Sequence, residues 1–373
     1  MNRFQKSLIE KDLSKKMVFL TGPRQVGKTW LAKEIARSFE KSVYLNYDRR
    51  EDREIIRKEA WLEATELLVL DELHKMPGWK NYLKGVFDTR PAHLKILVTG
   101  SARLETFRQG GDSLAGRFLL HRLLPFSPSE TRRAGSAEPL ERFMTRGGFP
   151  EPFLAESDED AARWRNQYID GLIRTDILDF ENVHDFRAIH LVFDLVRARV
   201  GSPVSYSSIA GDVGIAPNTV KKYIQIFEAL YIVFRVPPLS RDIARALKKE
   251  PKLYLYDSGL VKGDEGARLE NTVALCLLKN VYGMYDYRGA HTALHYLRTK
   301  DGEEIDFCIA EEDVPRRLIE VKRSDPEIAK SLRKFHERYG IPAIQAVMEL
   351  KRERVENGIE IRRALDLLQS LDF

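Results

Sequence analysis

Four apolar residues, Met17 to Leu20, lead into GPRQVGKT (Gly22 to Thr29), and a stretch carrying Leu31, Ile35 and Phe39 at helical spacing follows. Few sequence features restrict a chain as tightly. A strand that turns through two glycines framing four residues and re-emerges as a helix brings backbone N–H groups and the positive end of the helix dipole to one point. Such a point holds phosphate. In this pattern Lys28 reaches the outer phosphates of a nucleoside triphosphate and the Thr29 hydroxyl ligates Mg²⁺. The expected ligands are ATP and Mg²⁺, bound along Gly22, Pro23, Arg24, Gln25, Val26, Gly27, Lys28, Thr29 and Trp30.

The neighbouring sequence fits that loop. Further apolar runs at Val43–Tyr47, Leu67–Leu70 and Ile96–Val98 alternate with helix-period stretches, which implies a parallel sheet covered by helices. ELLVLDE (Glu66 to Glu72) reads as a buried strand presenting two acids at its carboxyl end, where ligands of such sheets sit. Asp71 is expected to hold Mg²⁺, and Glu72 to orient or deprotonate the attacking water. KILVTGS places Thr99 or Ser101 as a sensor near the γ-phosphate, and Arg117 in SLAGRF is the candidate arginine, acting in cis or from a neighbouring subunit.

The 373 residues are enough for two or three domains, and a 43% hydrophobic content excludes a disordered chain. Net charge is +5, which permits a local nucleic-acid face but not a uniformly basic surface. Two cysteines, Cys276 and Cys308, exclude a disulfide framework and fit a reducing cytoplasm. No apolar run is long enough for a membrane helix, and Met1 to Lys16 lacks an apolar signal core, so a cytoplasmic protein without membrane contact is expected. Changes of texture divide the chain into a phosphate-loop core (1–126), a helical lid or linker (127–199), a winged-helix segment (200–250) and a mixed α/β domain (251–373).

The winged-helix outline lies in SYSSIAGDVGIAPNTVKKYIQIFEAL, a short helix, a turn and a longer helix before the extended YIVFRVPP. Ile209, Val213 and Ile215 are expected to face inward. Asn218 or Thr219 would start the second helix beside Lys221 and Lys222, and these lysines with Arg235 could contact DNA phosphates. A solvated lysine face or a protein-interaction module explains the same letters. Further on, Asp306 in EIDFCIA and Glu320 with Lys322 in RLIEVK lie on two strand-like runs. Residues two apart on a strand share a face, so adjacent strands would gather two carboxylates and an ammonium, as metal-assisted phosphodiester hydrolysis requires. Asp306 and Glu320 would hold Mg²⁺, Lys322 would position water, and Glu270 could add a third carboxylate. His291 and His295 have no zinc-site context and read as structural.

GPRQVGKT, LLVLDELHKMPGWKNYLKGVFD, ILVTGS, SLAGRF, LLPFSPSE and RGGFPE occur in that order, followed by PKLYLYDSGL, LEN and EIDF with IEVK. This series resembles prokaryotic AAA-type ATPases that carry a carboxyl-terminal domain of unknown function with restriction-endonuclease-like, PD-(D/E)xK features. The likeness spans nearly the whole chain. It implies an ATP-binding protein. The leading reading is an ATP hydrolase whose nucleotide state moves the lid and winged helix to control a DNA-directed, nuclease-like domain, with DNA, protein partners or a second copy of the chain in a homo-oligomer as candidate partners. GSARL departs from the run of serines common in that family, which leaves the sensor residue open. A second reading is a slow ATP-dependent switch that binds protein partners and carries a catalytically inert nuclease-like domain. A third is a DNA-binding regulator.

Overall fold

In the computed structural model residues 3–100, 114–176, 185–239, 250–299, 302–324 and 327–371 are described, and the chain divides into two compact units, Met1–Leu124 and Pro125–Phe373. In the first unit the elements are α1 (Gln5–Leu13), β1 (Met17–Thr21), α2 (Lys28–Ala36), β2 (Ser42–Asn46), α3 (Arg50–Lys58), β3 (Leu67–Asp71), α4 (Trp79–Thr89), β4 (Lys95–Thr99) and β5 (Phe118–Arg122). The strands form one parallel sheet in the order β2-β3-β4-β1-β5. β1 and β3 are buried along their whole length, as their unbroken apolar runs require when both sheet faces are covered. Leu68, Leu70, Val98 and Phe19 pack with Trp79 and Leu83 of α4 in a hydrophobic core of this unit.

Register sets the site. Asn46, Asp71 and Thr99 are consecutive partners across β2, β3 and β4, and Thr99 is the partner of Leu20 on β1. All four therefore end at the same sheet edge, where the phosphate loop leaves β1. The chain crosses from β1 to the far edge at β2, and crevices at such reversals are where open parallel sheets bind ligands.

In the second unit come α5 (Pro128–Arg133), α6 (Leu140–Arg146), α7 (Pro150–Leu154), α8 (Asp158–Gly171), α9 (Phe186–Ala198), α10 (Tyr206–Val213), α11 (Pro217–Ala229), β6 (Val233–Val236), β7 (Lys252–Leu255), α12 (Glu265–Arg288), β8 (Thr292–Arg298), β9 (Glu304–Glu311), β10 (Val314–Lys322), α13 (Lys330–Tyr339), β11 (Ala343–Val347), β12 (Arg354–Glu356), β13 (Ile359–Arg363) and α14 (Ala364–Gln369). The expected helical spacing of Trp164 and Tyr168 places their rings in a stack, with centroids 4.7 Å apart. β6 pairs antiparallel with β7, so segments on either side of residue 250 share one two-stranded sheet. Strands β8–β13 form a mixed sheet in the order β12-β13-β11-β10-β9-β8.

Candidate functional site

Gly22 opens the phosphate loop at φ 146°, and a Cβ there would lie 2.1 Å from the Leu123 carbonyl oxygen. Only glycine fits that approach. The loop then passes through Gln25, which has a positive φ of 58°, and reaches Gly27, the N-cap of α2. The first N–H groups of a helix have no partner within it, so α2 points its donors at the loop's interior. Val26 is fully buried and its carbonyl oxygen accepts from Arg3 Nη2 at 2.7 Å, while Arg3 Nη1 donates to the Leu124 carbonyl at 3.1 Å. Arg24, Gln25, Thr29 and Trp30 are exposed along the loop and the first turn of α2.

Lys28 is buried, and its ammonium donates to the carbonyl oxygens of Pro23 at 2.6 Å and Gly22 at 3.0 Å. Burial lowers its pKa to about 8, against the raising influence of Glu72 and Asp71. The Thr29 hydroxyl donates to Asp71 Oδ2 at 2.9 Å. Two more hydroxyls converge on the same carboxylate: Tyr44 donates to Oδ2 at 2.5 Å, and Thr99 donates to Oδ1. The Thr29 hydroxyl and the Asp71 carboxylate are hard oxygen donors facing each other beside the loop, a donor set that suits Mg²⁺. Bound there, the ion would supply charge neutralisation to a triphosphate.

Glu72 follows at φ 57°, a left-handed conformation uncommon for a residue with a side chain, and its N–H donates to the Thr99 carbonyl at 3.0 Å. Its carboxylate lies 3.5 Å from Lys75 Nζ and 3.7 Å from His74 Nε2, and Lys75 also pairs with Asp48 at 2.6 Å. Burial raises the Glu72 pKa, and Lys75 opposes the rise.

The Thr99 hydroxyl is fully buried and bonded to Asp71, so it holds the carboxylate in place; Ser101 lies outside the described residues. Arg117 precedes β5, and its carbonyl accepts from Met17 N at the amino end of β1, opposite the phosphate loop. Its guanidinium grips Asp88 in a fork at 2.8 and 2.9 Å. Five strand residues separate that end from the loop, about 16 Å at ~3.3 Å per residue. Arg117 therefore cannot serve the loop of its own chain.

In the second unit the four expected residues lie together. Antiparallel pairing of Phe307 with Ile319 sets Asp306 beside Glu320. Asp306 Oδ2 accepts from Val321 N at 2.9 Å, Glu320 Oε2 accepts from Asp306 N at 3.4 Å, and Glu320 Oε1 lies 2.9 Å from Lys322 Nζ. Glu270, on α12, accepts from the Tyr254 hydroxyl at 2.6 Å. Burial, with Asp306 adding repulsion, raises the pKa of both Glu270 and Glu320. Sequence reasoning missed Lys252, whose ammonium lies 2.7 Å from Glu304, 3.3 Å from Glu270 and 3.6 Å from Asp306, with 1% of its side chain exposed. The residues do not fit the expected Mg²⁺ site, because a second ammonium besides Lys322, that of the buried Lys252, already stands against Glu270, Glu304 and Asp306. Among the described residues no three His, Cys, Asp or Glu side chains form a metal-binding group.

On α10 and α11, Ile209 is fully buried, whereas Val213 and Ile215 are only half-buried. Asn218, Lys221 and Lys222 are exposed and Thr219 is half-buried. Arg235 is exposed and pairs with Glu228 at 2.6 Å. Cys276 and Cys308 are buried free thiols, each pushed by burial up to about 12.

Residues 14–132 match the family described as AAA domain, residues 137–264 a domain of unknown function (DUF8612), and residues 265–367 another (DUF4143). The amino-terminal unit thus matches an AAA domain over most of its length, and its parallel sheet carries a P-loop between β1 and α2. An uncharacterised protein of Mycobacterium tuberculosis is 26% identical over 329 residues, covering 85% of this chain and 73% of that protein. An uncharacterised protein of Methanocaldococcus jannaschii is 23% identical over 354 residues, covering 84% and 77%. Among solved structures, a Walker-type ATPase of Pyrococcus abyssi is similar at a TM-score of 0.46 and 14% identity, covering 70% of this chain and 94% of that one. No helix among the described residues is long and apolar enough to cross a membrane.

Proposed function

We propose that the chain hydrolyses ATP at the carboxyl edge of its parallel sheet and uses the nucleotide state as a slow switch. The observation that carries this reading is the convergence of Lys28, Thr29 and Asp71 at one point, with Thr29 and Asp71 in direct contact. Lys28 takes the outer phosphates, Thr29 and Asp71 hold Mg²⁺, and Glu72 orients the water that displaces ADP from the γ-phosphorus. Lys28→Ala should abolish ATP binding, whereas Glu72→Gln should bind ATP and hydrolyse it roughly 100-fold or more slowly, the usual size of a lost general base. Undiminished turnover in either variant rejects the assignment.

DNA is the partner we propose for α10 and α11, in the winged-helix reading of this segment. Its support is the exposure of Asn218, Lys221 and Lys222 along one helix. Phosphate contacts make affinity fall steeply with salt, so changing Lys221 and Lys222 to Ala together should weaken DNA binding uniformly and flatten the salt slope by about 2. Equal slopes in wild type and variant would remove DNA from the scheme.

For the carboxyl-terminal domain, a specific observation favours the inert reading over cutting. Lys252 stands against Asp306 and Glu270, two of the carboxylates that a bound metal would use. In this reading the nuclease-like form is kept and the domain serves assembly with protein partners.

A further inference from the structure

Glu270, Glu304 and Asp306 come from α12 and β9, and all three carboxylates meet the single ammonium of Lys252. Its ammonium, with three N–H donors, donates to Glu270 at 3.3 Å, pairs with Glu304 at 2.7 Å and lies 3.6 Å from Asp306. Several further carboxylate oxygens are engaged, and Glu270 Oε1 also accepts from the Tyr254 hydroxyl. Asp306 Oδ2 is held by Val321 N, Glu320 Oε2 by Asp306 N, and Glu320 Oε1 by Lys322. A divalent cation needs several carboxylate oxygens free to turn toward it. Lys252 is also held from behind. Its backbone is paired with Val236 across β6–β7 and bridged to Pro203, and its ammonium lies 5.5 Å from the Tyr296 ring centroid. Gly201 closes another side, since a Cβ there would stand 2.7 Å from Glu270 Oε2.

We propose that Lys252 is the resident cation of this cluster, occupying the place of a divalent metal, so that the carboxyl-terminal domain is built and works without one. Taking a carboxylate cluster out of water requires matching positive charge, and a buried lysine supplies it permanently. The cluster becomes a metal site only when that ammonium is removed. This inference rests on the inert reading of the domain and is independent of ATP hydrolysis.

Full-length protein without nucleotide is titrated with Mn²⁺, and free ion is followed by electron paramagnetic resonance. Wild type and Asp306→Asn should bind the same amount of Mn²⁺, because the cluster takes none. Lys252→Met, which keeps the length and removes the charge, should bind one further equivalent that the Lys252→Met/Asp306→Asn double variant loses. Mn²⁺ bound by wild type and lost in Asp306→Asn overturns the proposal, as does a cooperatively melting Lys252→Met that gains no ion. If Lys252→Met does not fold, the comparison of wild type with Asp306→Asn still decides. ATP turnover is measured in parallel, and its loss would bear on the phosphate loop alone.

Discussion

Lys28 illustrates how a single residue ties proton chemistry to ligand binding. Its pKa is lowered to about 8 because burial disfavours the ammonium, with Asp71 and Glu72 only partly offsetting this. The sign follows directly: above that value the folded protein has lost a proton that the unfolded chain keeps up to about 10.5, and a triphosphate restores it. ATP binding should therefore draw in a proton near pH 9 but not near pH 6, a difference that calorimetry in buffers of unlike ionisation enthalpy measures. Glu72 gives a second case. Lys75 opposes the burial that raises its pKa, so Lys75→Met should move the acid limb of the pH–rate profile to higher pH. An unmoved limb would take Glu72 out of the role of base. Tyr44 and Arg3 were invisible in the sequence, since neither belongs to a motif. Arg3 is buried against the Val26 carbonyl, and Arg3→Ala should weaken ATP binding while leaving Glu72 in place.

At the scale of elements, legibility followed periodicity. β1, β3, β4 and α2 were readable because buried parallel strands are continuous apolar runs and the loop between β1 and α2 has a fixed spelling. β11 was not, because AIQAV carries a glutamine at its centre. Gln345 is nevertheless fully buried. Its amide oxygen accepts from Ala329 N at 2.8 Å and its amide nitrogen donates to the Glu327 carbonyl at 2.7 Å, which ties the approach to α13 onto the sheet. Gln345→Leu should cost about 1–3 kcal/mol for each group left unpaired, read as a lowered chemical-denaturation midpoint. β5 was missed for another reason: FLLHR is half-buried at a sheet edge and carries no strong pattern.

For the whole molecule, each compact unit has its own ionic chemistry. In the second, Lys279 and Glu130 pair at 2.6 Å with almost no exposure, and Lys279 also donates to the Pro125 carbonyl, joining α12 to α5. Removing one partner should destabilise this unit by about 3–5 kcal/mol, whereas changing both to apolar residues should recover much of that loss. Arg117 poses the question of assembly. Because it lies away from its own phosphate loop, it can take part in hydrolysis only as an arginine lent to another copy. Turnover per chain would then rise with protein concentration, and Arg117→Ala would abolish the rise; concentration-independent turnover in both removes Arg117 from the machinery.

The order of residues along the chain determined the phosphate loop, its acidic partner strand and the parallel sheet around them, because each is written in contiguous letters and local spacing. Lys252, Tyr44 and Arg3 depended on the tertiary structure. Lys252 reaches Glu270 across 18 residues and Arg3 reaches Leu124 across 121, and nothing in local spacing records such meetings. The same limit explains Arg117: a motif gives a residue's neighbours in sequence, whereas only strand register shows which end of the sheet it occupies.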